Sequence, residues 1–424
     1  MKKWTAFIFF FCAACLLTLF VNPQPVAAFW RYRCIDTMKE SRDRAQEWSK
    51  RKDAQDLIRK ELMLIKSLGG NCVSVATPYD EEFVPILALW VGQAKELGLI
   101  VWFRGNFSGW EGWFDYSKFT DVREHHRQTY ELITKHQQLF KNGDIFTPAP
   151  EPENGIIGDP RATGEHDTFL QFLTDSYDNC IAAFAIIQKS VTCGYFSTNG
   201  DVAAQILTKE TVSKIGNVVV IDHYVSDSER FERDIRQLHD KLGAPIVLGE
   251  LGSPIPDIHG PQSEREQAEF IDKLFRILYK HRSLIPAVNY WVLSGGTTAI
   301  VDEKGNLREG AHVVRNYFKP TTIVGQVRNS LGESLNNTRI VVGEGIAETT
   351  TDGTGKFSVA VPGGSHRVTV ENDTYAKATQ VFDIPAGDTL SLKVTLQPKD
   401  ASFIYRFRKF LAELLIQFPP KISL

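Results

Sequence analysis

Between residues 30 and 318 the chain alternates short apolar runs with longer amphipathic stretches. The short runs fall at 32–36, 72–76, 100–104, 145–149, 191–196, 218–222, 246–250 and 288–292. Each is too brief for a helix and is bounded by turn-forming residues, so each predicts a buried strand. Between them, at 56–68, 82–97, 166–188, 228–242 and 264–281, apolar residues recur at three- and four-residue spacing, which predicts helices that bury one face. Eight strand–helix units in about 290 residues are the expected content of a (β/α)8 barrel rather than of an open sheet. After Pro320 the pattern changes to alternating runs such as 356–361 and 367–371, punctuated by Asp352-Gly353, Pro362-Gly363-Gly364 and Pro385-Ala386-Gly387. That pattern predicts a small antiparallel β-sandwich over 321–398.

The strand at 246–250 stops at a carboxylate, Glu250, where a polar turn residue would be ordinary. In a parallel barrel the C-terminal ends of the strands converge on one mouth, where the chemistry resides. A second strand, 145–149, runs into the acidic, proline-punctuated segment Pro150-Glu151-Pro152-Glu153-Asn154. About three βα units separate Glu151 from Glu250, which sets the two acids on facing walls. Two facing carboxyls suit glycosidic cleavage, in which one protonates the departing oxygen and the other attacks or activates water. A separation of about 5–5.5 Å is the expectation for a covalent intermediate. Glu153 is the alternative acid/base should Glu151 turn away.

At these residues the chain resembles the retaining β-glycanases of the cellulase and mannanase kind, glycoside hydrolase family 5 and its clan. The resemblance rests on Glu151-Pro152 after the fourth strand, Gly249-Glu250 in the seventh and Tyr290-Trp291 in the eighth. It implies Glu151 as acid/base, Glu250 as nucleophile and Trp291 as the aromatic floor beneath the sugar. Asp222-His223-Tyr224 resembles the family's His-x-Tyr, with Tyr224 positioned to hydrogen-bond the nucleophile. Strand alternation puts Asp222 and Tyr224 on one face and His223 on the other, so Asp222 stands where the family has histidine, unless a one-residue shift restores His223. The family's asparagine before the acid/base is Pro150 here, and Ser74 stands in place of its second-strand arginine. Arg104, at the end of the third strand, can supply the missing charge.

The third strand leads into Asn106-Phe107-Ser108-Gly109-Trp110-Glu111-Gly112-Trp113-Phe114, where aromatic faces suited to stacking on sugars alternate with glycines. Trp110 or Trp113 is expected to line the cleft with Trp291. The alternative for this loop is a satellite cluster that packs it down. Adjacent His125 and His126 would point apart on a helix and do not read as a metal site. No cysteine spacing matches zinc, and no cofactor or metal is expected. The segment 322–396 resembles the carboxypeptidase regulatory-like, transthyretin-like sandwich, carried by Ile323-Val324-Gly325-Gln326-Val327 and Thr351-Asp352-Gly353-Thr354-Gly355-Lys356-Phe357.

A formal charge of −3 and the lack of a basic stripe argue against a nucleic-acid partner. Lys2 and Lys3, the apolar run from 4 to 21 and Val26-Ala27-Ala28 have the layout of a secretory signal cleaved after Ala28, the alternative being an uncleaved anchor. The expected location is therefore secreted or cell-surface. Of the four cysteines beyond that segment, Cys34, Cys72, Cys180 and Cys193, export permits pairing in any of three ways, while at least two read as buried free thiols. Within the amphipathic tail, 399–424, residues 402–418 predict a helix that rests on a membrane surface or a protein groove. The expected function is an exported retaining hydrolase of a β-linked polysaccharide or oligosaccharide. The rival is a non-catalytic glycan-binding or adhesion protein on a degenerate barrel, which Pro150 and Ser74 favour. A phosphate- or metal-using barrel lacks its glycine-rich loop and its ligand cluster.

Overall fold

Eight parallel strands form one curled sheet in the order β4-β3-β2-β1-β8-β7-β6-β5 in the computed structural model, which describes residues 28–118, 120–399 and 407–408. They are β1 Tyr32–Asp36, β2 Cys72–Val75, β3 Ile100–Phe103, β4 Ile145–Phe146, β5 Ser197–Asn199, β6 Val219–Asp222, β7 Ile246–Leu251 and β8 Ala287–Tyr290. The expected leader, apart from Ala28, and nearly all of the expected tail helix lie outside the described residues. Helices Ala54–Ser67, Val84–Glu96, Val122–Lys135, His166–Ile186, Ser228–Leu242 and Glu264–Lys280 cover the outside. None among the described residues is long and apolar enough to cross a membrane.

Two predicted strands differ from what forms. β4 ends at Phe146 because Pro148 and Pro150 lack the N–H a ladder requires. The predicted strand at 191–196 is irregular, and the regular ladder begins only at Ser197, alongside β6. Cys193 is drawn outward to a disulfide with Cys180 on helix His166–Ile186. The irregular stretch nevertheless closes the barrel: Phe146 N donates to Thr192 O (2.8 Å), Thr192 N to Asp144 O (3.0 Å) and Glu151 N to Ser197 O (2.8 Å).

Inside the barrel, Tyr32, Cys34, Cys72, Trp102, Val220 and Val247 belong to one buried apolar cluster. Intervening residues such as Ile35, Val73, Val101 and Leu248 face the helices and join the larger outer core. The expectation of free thiols is overturned. Cys34 and Cys72 are register partners on β1 and β2 and form a disulfide with Cα atoms 4.3 Å apart, while Cys180 and Cys193 pair at 6.1 Å.

In β7 strict alternation would place Val247, Gly249 and Leu251 inward and Glu250 outward. A bulge reverses this, since Ile221 pairs with Leu248 and Asp222 with Glu250, which leaves Gly249 as the extra residue. A Cβ on Gly249 would lie 2.4 Å from Asp222 Oδ1, so only glycine fits there.

The C-terminal strands form two sheets, β11-β10-β13-β14 and β12-β9-β15. Their ranges are β9 Thr321–Asn329, β10 Arg339–Val342, β11 Ala347–Thr350, β12 Lys356–Val361, β13 Gly364–Glu371, β14 Ala378–Ile384 and β15 Thr389–Leu396. Ile323, Val327, Ile340, Phe357 and Val368 are buried in a core separate from the barrel's. All pairings are antiparallel except β9 with β15. Tyr279 Oη donates to Ala360 O (3.0 Å) and Gly363 N to Asn316 O (2.8 Å) where the sandwich meets the barrel.

Candidate active site

Arg104 follows β3 and is the centre of the mouth, with a side chain fully shielded from solvent. Its Nη1 donates to Asp36 Oδ2 (2.9 Å) and Glu250 Oε1 (2.8 Å), and its Nη2 to Ser197 Oγ (3.0 Å) and Asp222 Oδ2 (3.1 Å). A buried guanidinium is tolerated only when paired this thoroughly. Burial works against its charge, but Asp222, Glu250 and Asp36 outweigh it and hold its pKa well above the ordinary value. Ser74, where the resemblance expected a charge, donates instead to Asn289 Oδ1 (2.9 Å). Asn289 Nδ2 in turn donates to Asp36 Oδ2 (3.2 Å) and Gly249 O (2.8 Å).

Glu250 is 5 % exposed and accepts from Tyr224 Oη on its other oxygen (2.8 Å). Burial raises its pKa, and Arg104 and the Tyr224 hydroxyl oppose the rise. Asp222 is pushed well up, first by burial and then by Glu250, and its Oδ1 has no partner. Glu151, partly exposed at the rim, is pushed up to about 8 by burial and by the charges of Glu250 and Glu153, against the pull of Arg104. The direction of the shift favours its protonated form, the one a proton donor needs. Its backbone is left-handed (φ 42°, ψ 59°), an unusual conformation for a non-glycine residue that is held here between two prolines.

One oxygen from each of Glu151, Asp222 and Glu250 lies within 4.8 Å of the others, the one such acid group among the described residues. Arg104 already donates to two of the three, so a cation placed there would face a guanidinium at hydrogen-bond range. The residues fit a proton-sharing cluster better than a metal site.

The structure brings together Glu151, Glu250, Asp222, Tyr224 and Arg104, and sets Trp291 beside them. The partly exposed Trp291 ring meets Tyr224 edge-on at 6.1 Å, with Lys39 Nζ 5.9 Å from its centroid. Asn106 and Trp113 connect to this group through Glu111. Asn106 Nδ2 donates to Glu111 Oε1 (3.3 Å), the Trp113 side chain lies beside Glu111, and Glu111 acts electrostatically on Glu151. Trp113 is stacked under the Arg42 guanidinium (4.8 Å).

Three expected site residues lie elsewhere. Trp110 is fully buried against His125 (4.2 Å) and Phe172 (5.5 Å), so it is core and cannot meet a sugar. His223 turns outward, as alternation dictates, to stack on Phe231 (5.5 Å) and reach Asp234 (3.1 Å). Glu153 Oε1 caps the Asn199 N–H, which commits that oxygen to the fifth loop. Sequence reasoning missed Asp36, Ser197, Asn289 and Glu111. Asp36 was findable, because it closes a strand as Glu250 does, and Asn289 follows an inward alanine by two residues.

Residues 322–397 match the carboxypeptidase regulatory-like domain. In structure the chain is similar to glycoside hydrolases of families 5, 10 and 51. A mannanase catalytic domain from Streptomyces sp. SirexAA-E aligns at 14% identity over 68% of this chain and 85% of that one, with TM-score 0.45. A broad-specificity family 5 endoglucanase from Bacteroides salanitronis aligns at 14% identity over 61% and 84%, with TM-score 0.46. A family 51 arabinofuranosidase from Xanthomonas axonopodis pv. citri aligns at 12% identity over 77% and 87%, with TM-score 0.44. No curated protein matches the chain in sequence.

Proposed function

We propose that this protein is an exported retaining glycoside hydrolase acting on a β-linked glycan, with Glu250 as nucleophile and Glu151 as acid/base. The observation that carries this reading is the approach of Glu151 and Glu250 oxygens to within 4.8 Å. A gap that short suits the separation of about 5–5.5 Å between carboxyl groups in retaining enzymes better than the roughly 6.5–9.5 Å of inverting ones. In the first step a Glu250 oxygen bonds to the anomeric carbon while Glu151 passes its proton to the departing glycosidic oxygen. In the second, Glu151, now ionised, takes a proton from water as that water displaces Glu250. Arg104 and Tyr224 hold the nucleophile's two oxygens and disperse its charge, and Trp291 offers an aromatic face to the sugar.

Export is supported by the leader-like start of the chain and by two disulfides, which persist in oxidising compartments. In this reading the barrel, 29–320, performs the chemistry and the module at 321–398 is a spacer or adhesive domain. A second reading, a non-catalytic glycan-binding protein, is favoured by Pro150, which offers no side-chain donor to the sugar. The test compares wild type and Glu151→Gln on a glycan panel and on an aryl glycoside with an acidic phenol. The hydrolase reading expects Glu151→Gln to lose natural-glycan cleavage, keep the first step on the aryl glycoside, and regain its second step with azide. Binding without cleavage of any substrate by wild type establishes the rival.

A further inference from the structure

The turn that carries Glu151 rests on a buried aromatic stack that has no counterpart in the chemistry described above. Glu151 O accepts from Asn154 N (2.8 Å) and Pro152 O from Gly155 N (3.1 Å), which closes the turn tightly. Beneath it lies Trp110. A Cβ on Gly155 would fall 2.1 Å from Trp110 Nε1 and 2.3 Å from Cε2, so the backbone sits directly on the indole. The indole in turn lies on His125, from helix Val122–Lys135, and stacks nearly parallel to Phe172 (interplanar angle 11°).

His125 is 1 % exposed, and its ring faces the carbonyl of Pro148, three residues before Glu151. Burial pushes its pKa down to about 3, so it is neutral at any working pH. A ring nitrogen of His125 thus has that carbonyl as its partner, whereas Trp110 Nε1 has none among the described residues. A buried imidazole that reaches the chain leading into the turn, beside an unpaired indole N–H, is costly in a site that apolar rings would fill as well. Their position suggests that they serve the turn rather than the core.

We propose that Trp110 and His125 act together as positioning residues for Glu151, holding its left-handed turn against the barrel so that its carboxyl stays beside Glu250. The proposal rests on the hydrolase reading for its catalytic consequence but not for its geometry. If the stack is withdrawn, the Glu151 carboxyl moves away from Glu250 and Glu153 and toward water. Its proton affinity falls, and proton delivery to a poor leaving group suffers most.

The test uses Gly155→Ala, which wedges the turn off the indole, and His125→Phe, which keeps an aromatic ring but removes both nitrogens. Titration of Glu151 is followed by the infrared carboxylic-acid band that is absent from Glu151→Gln. Both variants are expected to move that titration toward the ordinary carboxylate range by about one pH unit. They are also expected to lower kcat on a natural glycan by about tenfold, with KM and aryl-glycoside cleavage little changed. Trp110→Leu, which withdraws the indole itself, is expected to shift the titration in the same direction, and adding it to Gly155→Ala is expected to give less than the sum of the two shifts, a coupling that independent sites would not show. A Glu151 titration unchanged in either folded variant overturns the proposal. If wild type cleaves no glycan, the hydrolase reading fails, while the infrared titration still decides the positioning role.

Discussion

The barrel interior has a floor and a mouth, and on most strands the two are only two residues apart. On β1 Cys34 is followed inward by Asp36, on β2 Cys72 by Ser74, on β3 Trp102 by Arg104, on β6 Val220 by Asp222, and on β8 Ala287 by Asn289. The floor is apolar and cross-linked, whereas the mouth is a network around one guanidinium. Both layers are almost fully buried, so burial does not separate them. What separates them is whether burial is favourable: the floor gains stability from losing water, and the mouth gives up stability to keep charged groups dry.

Five measurements would sharpen or break this contrast. The largest effect is expected from Glu250→Gln, which should lower glycan turnover by about 10^4-fold or more with little loss of thermal stability, because the amide oxygen can still accept from Arg104; a large loss would mean that the negative charge itself holds the mouth together. Arg104→Met should cost about 3–5 kcal/mol in a denaturant titration, because it strands buried carboxylates, and should abolish turnover as well. In the floor, Val247→Ala should cost about 2 kcal/mol and leave the pH profile of turnover unchanged. A shifted profile would show that floor and mouth are coupled.

The fourth measurement is pH dependence. Because the folded protein holds the Glu151 proton up to about 8, it binds more protons than the unfolded chain between the ordinary glutamate range and that value. Stability should therefore decline as pH rises through that window and level off above it. Turnover on a natural glycan should also fall above about pH 8, as the donor is lost. Glu151→Gln should flatten the Glu151 part of the stability decline, as read by thermal melts at successive pH values. The smallest effect is expected from Asp222→Asn. If burial and Glu250 keep Asp222 protonated, the amide is a close mimic, and kcat should change by less than about tenfold. A collapse comparable to Glu250→Gln would show that Asp222 works as an anion.

Most of the barrel was legible because its strand ends, helix faces and turn residues agree with one another. Alternation also placed Asp222 and Tyr224 on the face opposite His223, as found. Glu250 is a different case: it was singled out for its place at a strand end, yet the period of two alone would have sent it outward. Only the bulge at Gly249 turns it in, and that bulge depends on contact with Asp222 from a neighbouring strand. The Cys34–Cys72 pairing was hidden for the same reason, since it is a matter of register between strands. Trp110 looked like a binding aromatic because its loop is rich in glycine. The helix face that buries it, with Phe172, is some sixty residues away in the chain.

The bulge in β7 also sets a depth. Inward-facing positions on a regular strand come two residues apart, about 6.6 Å along the barrel axis before tilt, so side chains can be offered only at coarse intervals. One surplus residue shifts the phase of β7 and lets Glu250 stand level with Asp222 on β6, while Leu251 returns to the apolar row under the helices. The height of an acid in such a barrel can therefore be tuned by inserting or deleting a single residue in a strand, a route of variation that substitutions cannot reproduce.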